Sequence, residues 1–508
     1  MERGIDANTA TKNAVEGMTS RLQNTAGAIT LSNNGEVGIH FSSNRMAWAY
    51  IKNDNIIYGI DQGQVIEEIV NDTMLTSGIE PLSQRWDFDS LCVFYRLHNG
   101  VCSEELFDMM PTRFKNAKKR VSVASLYIGT GSMERELLNV TKENLKRRNL
   151  KFTVLLDYQR GTRGQVNSRT LLQDIVNEVP DCKVSFYQTP RLQGSWSKAL
   201  PSRYNELVGL QHMKLYIVDD SVLLSGANCS NDYFQQRQDR YIEIQDPDVS
   251  NFYCELIDGI IVNKNVNKDV LTKEMNKAVS DLIQRWKEIQ HAKLLSQNDS
   301  NNTWVFPLVQ MGEFKINQDE IATRQLLSSA PENSNIRLAT GYFNLTDNYA
   351  KALLKDCKAN ISLLMAHPNA NGFMGAAGPA GGIPFAYSLI ARKFWQQVIE
   401  TNQVNRVQIL EYQRPGWTFH AKGLWYYPPG SAVPWATLVG SANLGERSVR
   451  RDLEAQAAIF TSSPDLQERL HRECTALHAP AAECGAELQG RATPLWVRAT
   501  VGLFRTYF

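Results

Sequence analysis

The chain has 508 residues, enough for two domains of ordinary size, and its 54 Lys and Arg against 53 Asp and Glu leave none of the basic excess that duplex binding needs, which weighs against a nuclease. Eight cysteines scattered from position 92 to position 484 suggest reduced thiols in an interior compartment rather than a disulfide framework. No apolar stretch reaches transmembrane length, since the greasiest, residues 256–262, is interrupted by Asp258; any membrane contact is expected to be peripheral.

Residues 1–86 show neither repeat nor motif, and their Asn, Ser and Gly content reads as a divergent or poorly ordered extension. Glu2, Asp6 and Glu16 interrupt what a mitochondrial presequence, acid-poor and arginine-rich, would require. Further on, RVSVASLYIGTG at 120–131 reads as a strand running into a helix start, and KFTVLLDYQRG at 151–161 and KVSFYQT at 183–189 supply further strands. Arg160, Arg163 and Arg169 follow one of these strand ends, with Gly161 and Gly164 among them; arginines in a glycine loop suit bidentate phosphate contact. Then comes QHMKLYIVDDSVLLSGANC at 211–229, a strand, a turn at Asp219–Ser221 and a returning strand. Side chains alternate along a strand, so His212 and Lys214 share one face. Taken alone, the pair reads as a snorkelling lysine beside a core histidine.

A second copy changes that reading. FHAKGLWYYPPGSAVPWATLVGSANLG at 419–445 repeats the pair as His420 and Lys422. Asn228 follows His212 by 16 residues and Asn443 follows His420 by 23; Pro428, Pro429 and Gly430 absorb the difference as a longer loop. Asp239 lies 11 residues after Asn228, and Glu454 lies 11 after Asn443. Upstream, residues 336–346, 361–372 and 406–413 repeat the three earlier strands. Strands alternating with helices in each half argue for an α/β sandwich with a mixed sheet. The polar run SQNDSNNT at 296–303 separates the halves. The HAK at 291–293 ends a charged helical stretch and takes no role. His471, Cys474, His478 and Cys484 match no common zinc spacing and read as helix and loop residues. In the terminal segment, Trp496, Thr500, Phe504 and Phe508 form a stripe with Val497 and Val501 beside it, and Arg498 and Arg505 share another face. That pattern suits an interfacial helix or one packed on the protein's own core.

These motifs resemble the phospholipase D superfamily, whose signature is His-x-Lys-x4-Asp twice per chain followed by Gly-Ser-x-Asn. The first copy is complete, with Asp219 in the aspartate place; in the second Tyr427 stands there. SLYIGTG, LLDYQRGTRGQVNSRTLL, QHMKLYIVDD, SNDYFQQRQDRYIEI, GYFNLT, NGFMGAAGPAGGIPFAY and FHAKGLW together are similar to the eukaryotic phosphatidylglycerophosphate synthase family, from about residue 87 to the end. An HAKGLW motif without the aspartate is that family's pattern.

The resemblance implies an α/β fold of two phospholipase D-like sandwich halves with mixed central sheets, packed about a pseudo-twofold axis over one shared active site. Residues 87–295 form the first half, 296–303 a linker, 304–485 the second half and 486–508 an amphipathic terminal segment. The implied reaction transfers the phosphatidyl group of CDP-diacylglycerol to glycerol 3-phosphate. The alternative is a related lipid enzyme: a phosphatidylserine synthase, a cardiolipin synthase or a hydrolase. His212 and His420 are expected to flank one phosphorus, His212 as nucleophile through a phosphatidyl-histidine. Lys214, Lys422, Asn228 and Asn443 neutralise the phosphate oxygens, and Asp239 and Glu454 orient the histidines. Asp219 is left out of the catalytic set as a structural residue. Arg160, Arg163 and Arg169 select the acceptor's phosphate, and the uncharged stretch at 371–382 borders either lipid or cytidine. The scheme requires no metal or other cofactor. It implies a mitochondrial enzyme, peripheral on the inner membrane, with no nucleic-acid partner.

Overall fold

A computed structural model describes residues 6–22, 27–32, 36–42, 45–52, 55–61, 66–69, 104–179, 181–192, 205–261, 268–295 and 302–507. The chain divides into two units, Met1–Ser83 and Gln84–Phe508. The first contains helix Ala7–Leu22, the antiparallel pair β1 (Gly27–Leu31) and β2 (Val37–Phe41), and an antiparallel sheet of β3 (Arg45–Lys52), β4 (Asn55–Asp61) and β5 (Ile66–Ile69). Regular elements thus occupy a stretch whose composition suggests poor order. Among the described residues Phe41 and Ile57 form an apolar cluster there, with Ile39 packed against them.

In the second unit, β6 (Arg120–Ser125), β7 (Lys151–Asp157) and β8 (Cys182–Tyr187) run parallel, joined through helices Ser132–Arg147 and Ser168–Glu178. The antiparallel hairpin of β9 (Leu215–Val218) and β10 (Ser221–Ser225) follows, then short β11 (Arg237–Gln238) and β12 (Tyr241–Gln245). The sheet order is β12-β10-β9-β6-β7-β8. Helices Pro247–Ile260 and Lys268–Leu295 lead on, the latter containing the HAK triplet; most of the expected linker, residues 296–301, lies outside the described residues.

The rest of the chain carries β13 (Thr303–Met311), β14 (Ile316–Asn317), β15 (Asn335–Thr340), β16 (Asn360–Ala366), β17 (Val407–Tyr412), β18 (Thr418–Phe419), β19 (Gly423–Tyr427), β20 (Ala436–Gly440), β21 (Glu454–Thr461) and β22 (Ala481–Glu483). Nine of these form a sheet ordered β14-β13-β21-β20-β19-β15-β16-β17-β22. Its central six strands repeat the first sheet strand for strand. Both sheets are mixed α/β sheets, as the alternation of elements leads one to expect.

Alternation along the strands sends each side chain to one of three cores. Leu215, Ile217, Val222 and Leu224 of the first sheet share a cluster with Trp425, Val439, Ala457 and Ile459 of the second. Tyr216 and Leu223 face a separate cluster with the helices around Met110, Leu137 and Leu172. Leu424 and Leu438 face a third, with Phe394, Val497 and Val501. The two sheets therefore meet over a common apolar layer and carry helices on their outer faces.

Asp219 holds the β9–β10 turn at φ 53°, and its carboxylate accepts the backbone N–H groups of Lys118, Lys119 and Arg120, tying the hairpin to the start of β6. Tyr427, at the corresponding place, is buried beneath the Arg337 guanidinium at 5.3 Å and lies 3.4 Å from His471 Nδ1. His471, Cys474 and His478 lie on helix Pro464–His478, and the buried Cys484 thiol donates to the Ile409 carbonyl. The six described cysteines are free; Cys92 and Cys102 lie outside the described residues.

The terminal helix, Leu495–Phe504, divides the expected roles between its faces. Val497 and Val501 are buried in the outer core, whereas Leu495 and Leu503 are 81% and 78% exposed and Trp496 and Phe504 half-exposed. Arg505 bonds the Leu345 carbonyl and Asp347, and Phe508 lies outside the described residues. Among the described residues no helix is long and apolar enough to cross a membrane.

Candidate active site

Two short parallel bridges bring the motifs together. Gln211 pairs with Leu453, and the His212 N–H donates to the Leu453 carbonyl, which sets Glu454, the first residue of β21, beside His212. Reciprocally, β11 pairs with β18, and the His420 N–H donates to the Gln238 carbonyl, which sets Asp239 beside His420. Each half thus supplies the carboxylate for the other's histidine.

His212 Nδ1 lies 3.0 Å from both Glu454 oxygens, and Glu454 also accepts from the Ser441 and Ser448 hydroxyls. His420 Nδ1 lies 2.7 Å from Asp239 Oδ2, while Asp239 Oδ1 accepts the Arg240 N–H. A carboxylate at Nδ1 favours the tautomer with its proton there, leaving the Nε2 lone pair for chemistry. Lys214 and Lys422 are fully buried; each ammonium donates to the carbonyl of its own histidine, and Lys422 Nζ lies 3.1 Å from His420 Nε2. Gly226 has no room for a side chain, because a Cβ there would lie 2.5 Å from Asp239 Oδ1 and 2.7 Å from Lys422 Cδ. Asn228 donates to the Tyr233 hydroxyl, and both Asn228 and Asn443 keep a buried Oδ1 with no hydrogen-bond partner among the described residues.

Burial dominates the electrostatics. It pushes His212 well below the ordinary histidine value, with Lys214 next in effect, and does the same to His420, with Lys422 and Arg237 next. Burial also lowers Lys214 to about 7 and Lys422 to about 8 against the pull of nearby carboxylates, and raises Asp239 to about 6. The result is two buried neutral imidazoles beside two buried lysines that carry their charge up to about pH 7 and pH 8, an arrangement suited to nucleophilic attack on an anionic phosphoryl group. Asp452, His212 and Glu454 bring ligand atoms within 4.8 Å of one another. Asp452, however, already accepts the Leu210 N–H and pairs with Arg447, and Glu454 is held as above, so a cation would have to displace existing bonds.

The three loop arginines part company. Arg160 and Arg163 both pair with Glu206, Arg160 at 3.6 Å, and the Arg160 guanidinium lies 4.9 Å from the Tyr127 ring centroid. Arg169 is exposed on the first turn of helix Ser168–Glu178, which Asn167 caps, and among the described residues it joins neither that cluster nor the histidines. Asp157, raised to about 7 chiefly by burial, accepts both the Arg160 and Gln211 N–H groups and so joins the arginine loop to the His212 segment.

Sequence reasoning missed the aromatic wall around His420. Tyr233 and Tyr342 present their rings edge-on to it at 5.3 and 5.4 Å, Tyr387 stacks on Tyr342 at 5.3 Å, and Phe373 lies 5.9 Å from Tyr342. It also missed Arg237, whose guanidinium lies over Tyr233 at 4.7 Å. One signal was present: Tyr127 and Tyr342 each stand two residues past the end of equivalent strands, β6 and β15.

The family model "Cardiolipin synthase, PLD-like domain" matches residues 110–261, and the model "Asparaginase" matches residues 1–60. A Gallus gallus protein named "CDP-diacylglycerol--glycerol-3-phosphate 3-phosphatidyltransferase, mitochondrial" is 40% identical over 457 residues, covering 80% of this chain and 82% of that protein. The Homo sapiens protein of the same name is 41% identical over 453 residues, covering 80% and 81%. Among solved structures, phosphatidylserine synthase from Haemophilus influenzae Rd KW20 superposes with a TM-score of 0.61 at 20% identity, over 82% of this chain and 94% of that one, a likeness of fold.

Proposed function

The chain belongs to the CDP-diacylglycerol--glycerol-3-phosphate 3-phosphatidyltransferase family, and from that membership we propose how its residues carry out the transfer. The enzyme moves the phosphatidyl group of CDP-diacylglycerol to glycerol 3-phosphate and releases CMP. His212 Nε2 attacks the phosphorus that bears diacylglycerol; a P–N bond forms and the P–O bond to CMP breaks, with His420 giving its proton to the departing oxygen. His420 is neutral in the free site; the negative pyrophosphate entering beside it raises its proton affinity, so that Nε2 takes up a proton from solvent as the substrate binds and passes that proton to the departing oxygen. In the second step His420 takes the proton of a glycerol hydroxyl, whose oxygen attacks phosphorus and breaks the P–N bond. Lys214, Lys422, Asn228 and Asn443 hold the phosphoryl oxygens, and Glu454 and Asp239 fix the two imidazoles. Arg160 and Arg163 exchange Glu206 for the acceptor's phosphate.

The reciprocal histidine–carboxylate pairs carry this reading, because each makes a chemically competent histidine depend on both halves. Two displacements at phosphorus retain configuration. A chiral thiophosphate analogue of CDP-diacylglycerol should therefore give product of retained stereochemistry; inversion would exclude the phosphatidyl-histidine.

We further propose that the enzyme works peripherally on the mitochondrial inner membrane. The relatives' names support the organelle, and the exposed apolar face of the terminal helix supports the surface. The stretch 371–382 spans the two regions: a Cβ on Gly372 would lie 2.8 Å from an Arg237 nitrogen, and one on Gly382 would collide with the Trp496 ring. That continuity favours the lipid rather than the cytidine as its neighbour.

A further inference from the structure

Double displacement with one nucleophile puts the leaving and entering groups on the same side of phosphorus, opposite His212 and therefore beside His420. Both groups carry a phosphate monoester: CMP departs as one, and glycerol 3-phosphate brings its own. The two lysines and two asparagines are committed to the phosphoryl oxygens under attack, so a second anion on the His420 side calls for a further cation.

Arg237 lies there. It sits on β11, two residues before Asp239, and its Nε donates to the Thr418 hydroxyl at 3.0 Å, two residues before His420. Its guanidinium rests over the Tyr233 ring, which is itself edge-on to His420. Gly372 faces a guanidinium nitrogen so closely that a side chain there would displace it. The fork is thus oriented from three sides by elements of both halves, as bidentate phosphate recognition demands.

We propose that Arg237 forms one anion subsite used twice per cycle, first by the phosphate of departing CMP and then by the phosphate of glycerol 3-phosphate. This rests on the reading of His212 as nucleophile and on the double displacement. Arg160 and Arg163 share the acceptor's phosphate with Arg237, both Arg160 and Arg237 acting on Tyr342, but take no part in holding CMP. One consequence is that CMP and glycerol 3-phosphate exclude each other, which keeps the acceptor from entering until the leaving group has gone.

Two measurements on the full chain test it. CMP binding is followed by titration calorimetry with wild type, Arg237→Gln and Arg237→Lys, and acceptor preference is scored as kcat/KM for glycerol 3-phosphate relative to glycerol on CDP-diacylglycerol vesicles. In Arg237→Gln the CMP Kd should rise and the preference fall together, each by roughly tenfold or more, the size of a lost charged hydrogen bond. Arg237→Lys should recover part of both. On wild type, CMP should inhibit competitively against glycerol 3-phosphate. The subsite is overturned if Arg237→Gln slows both acceptors equally, or if only one of the two quantities moves. Failure of the underlying function is separate: wild type would then not use glycerol 3-phosphate at all, while the CMP titration would still read the subsite.

Discussion

His212 and Glu454 stand 242 positions apart in the chain, yet the imidazole Nδ1 lies 3.0 Å from both carboxylate oxygens. The same crossing joins His420 to Asp239. Single replacement of either histidine by alanine should therefore remove nearly all turnover while the circular dichroism spectrum stays that of the native fold. Glu454→Gln and Asp239→Asn, which keep shape but lose the charge that fixes the ring, should each lower kcat by about 10²- to 10⁴-fold. Substantial activity in either alanine variant would mean that the halves work independently.

The alkaline side of the pH–rate profile should be set by the buried lysines. Lys214 and Lys422, lowered to about 7 and about 8, lose their protons as pH rises through that range, and with them the charge proposed to neutralise the phosphoryl oxygens. We expect kcat/KM for CDP-diacylglycerol to fall above about pH 7–8, and Lys214→Arg, slow but permanently charged, to keep its residual rate to higher pH. A stability signature accompanies this. An unfolded lysine keeps its proton to near pH 10.5, so between 7 and that value the unfolded chain binds the extra proton. Lys214 therefore makes unfolding free energy rise with pH across this window. Denaturant titrations of wild type and Lys214→Met should differ in slope against pH in that sense.

A buried ion pair across the two halves offers a test of how they are held. The Arg240 guanidinium lies 3.9 Å over Trp425, bonds both Glu473 oxygens at 2.8 Å and donates to the Leu438 carbonyl. Removing only the anion leaves a desolvated cation, so Glu473→Ala should cost about 3–5 kcal/mol in a denaturant titration. A loss under about 1 kcal/mol would mean that water reaches Arg240 once the carboxylate is gone.

How much of this was legible in the sequence depended on the range of the signal. The two His-x-Lys pairs stood out because the repeat placed them, the asparagines and the carboxylates at matched spacing, and the alternation of strands and helices in each half was read from the same repeat. Arg237 was not legible, since its place arises from a parallel bridge between β11 and β18, residues that no local period relates. Arg169 read like Arg160 in sequence; the helix that Asn167 caps turns it outward, a distinction that the glycine-loop pattern does not contain. The N-terminal strands were hidden for the opposite reason, since residues 1–86 carry neither the repeat nor a motif that would mark them.

The terminal helix can be divided experimentally as its burial divides it. Val497 and Val501 anchor it to the outer core, while Leu495, Trp496, Leu503 and Phe504 remain exposed on a protein whose substrate is a two-chain lipid. Burying one large apolar side chain is worth about 1.5–3 kcal/mol, so losing two from a membrane-facing surface should weaken vesicle binding by roughly a hundredfold or more. Leu503→Glu with Phe504→Glu should therefore abolish co-sedimentation with anionic vesicles. The melting temperature, and turnover of a short-chain CDP-diacylglycerol dissolved below its micellar concentration, should stay near wild type. Val501→Asp should do the reverse, lowering the melting temperature by opening the outer core before membrane binding is tested. If the double glutamate variant still bound vesicles as wild type does, the bilayer would have to be met by another face, and the bridging role given to residues 371–382 would fall with it.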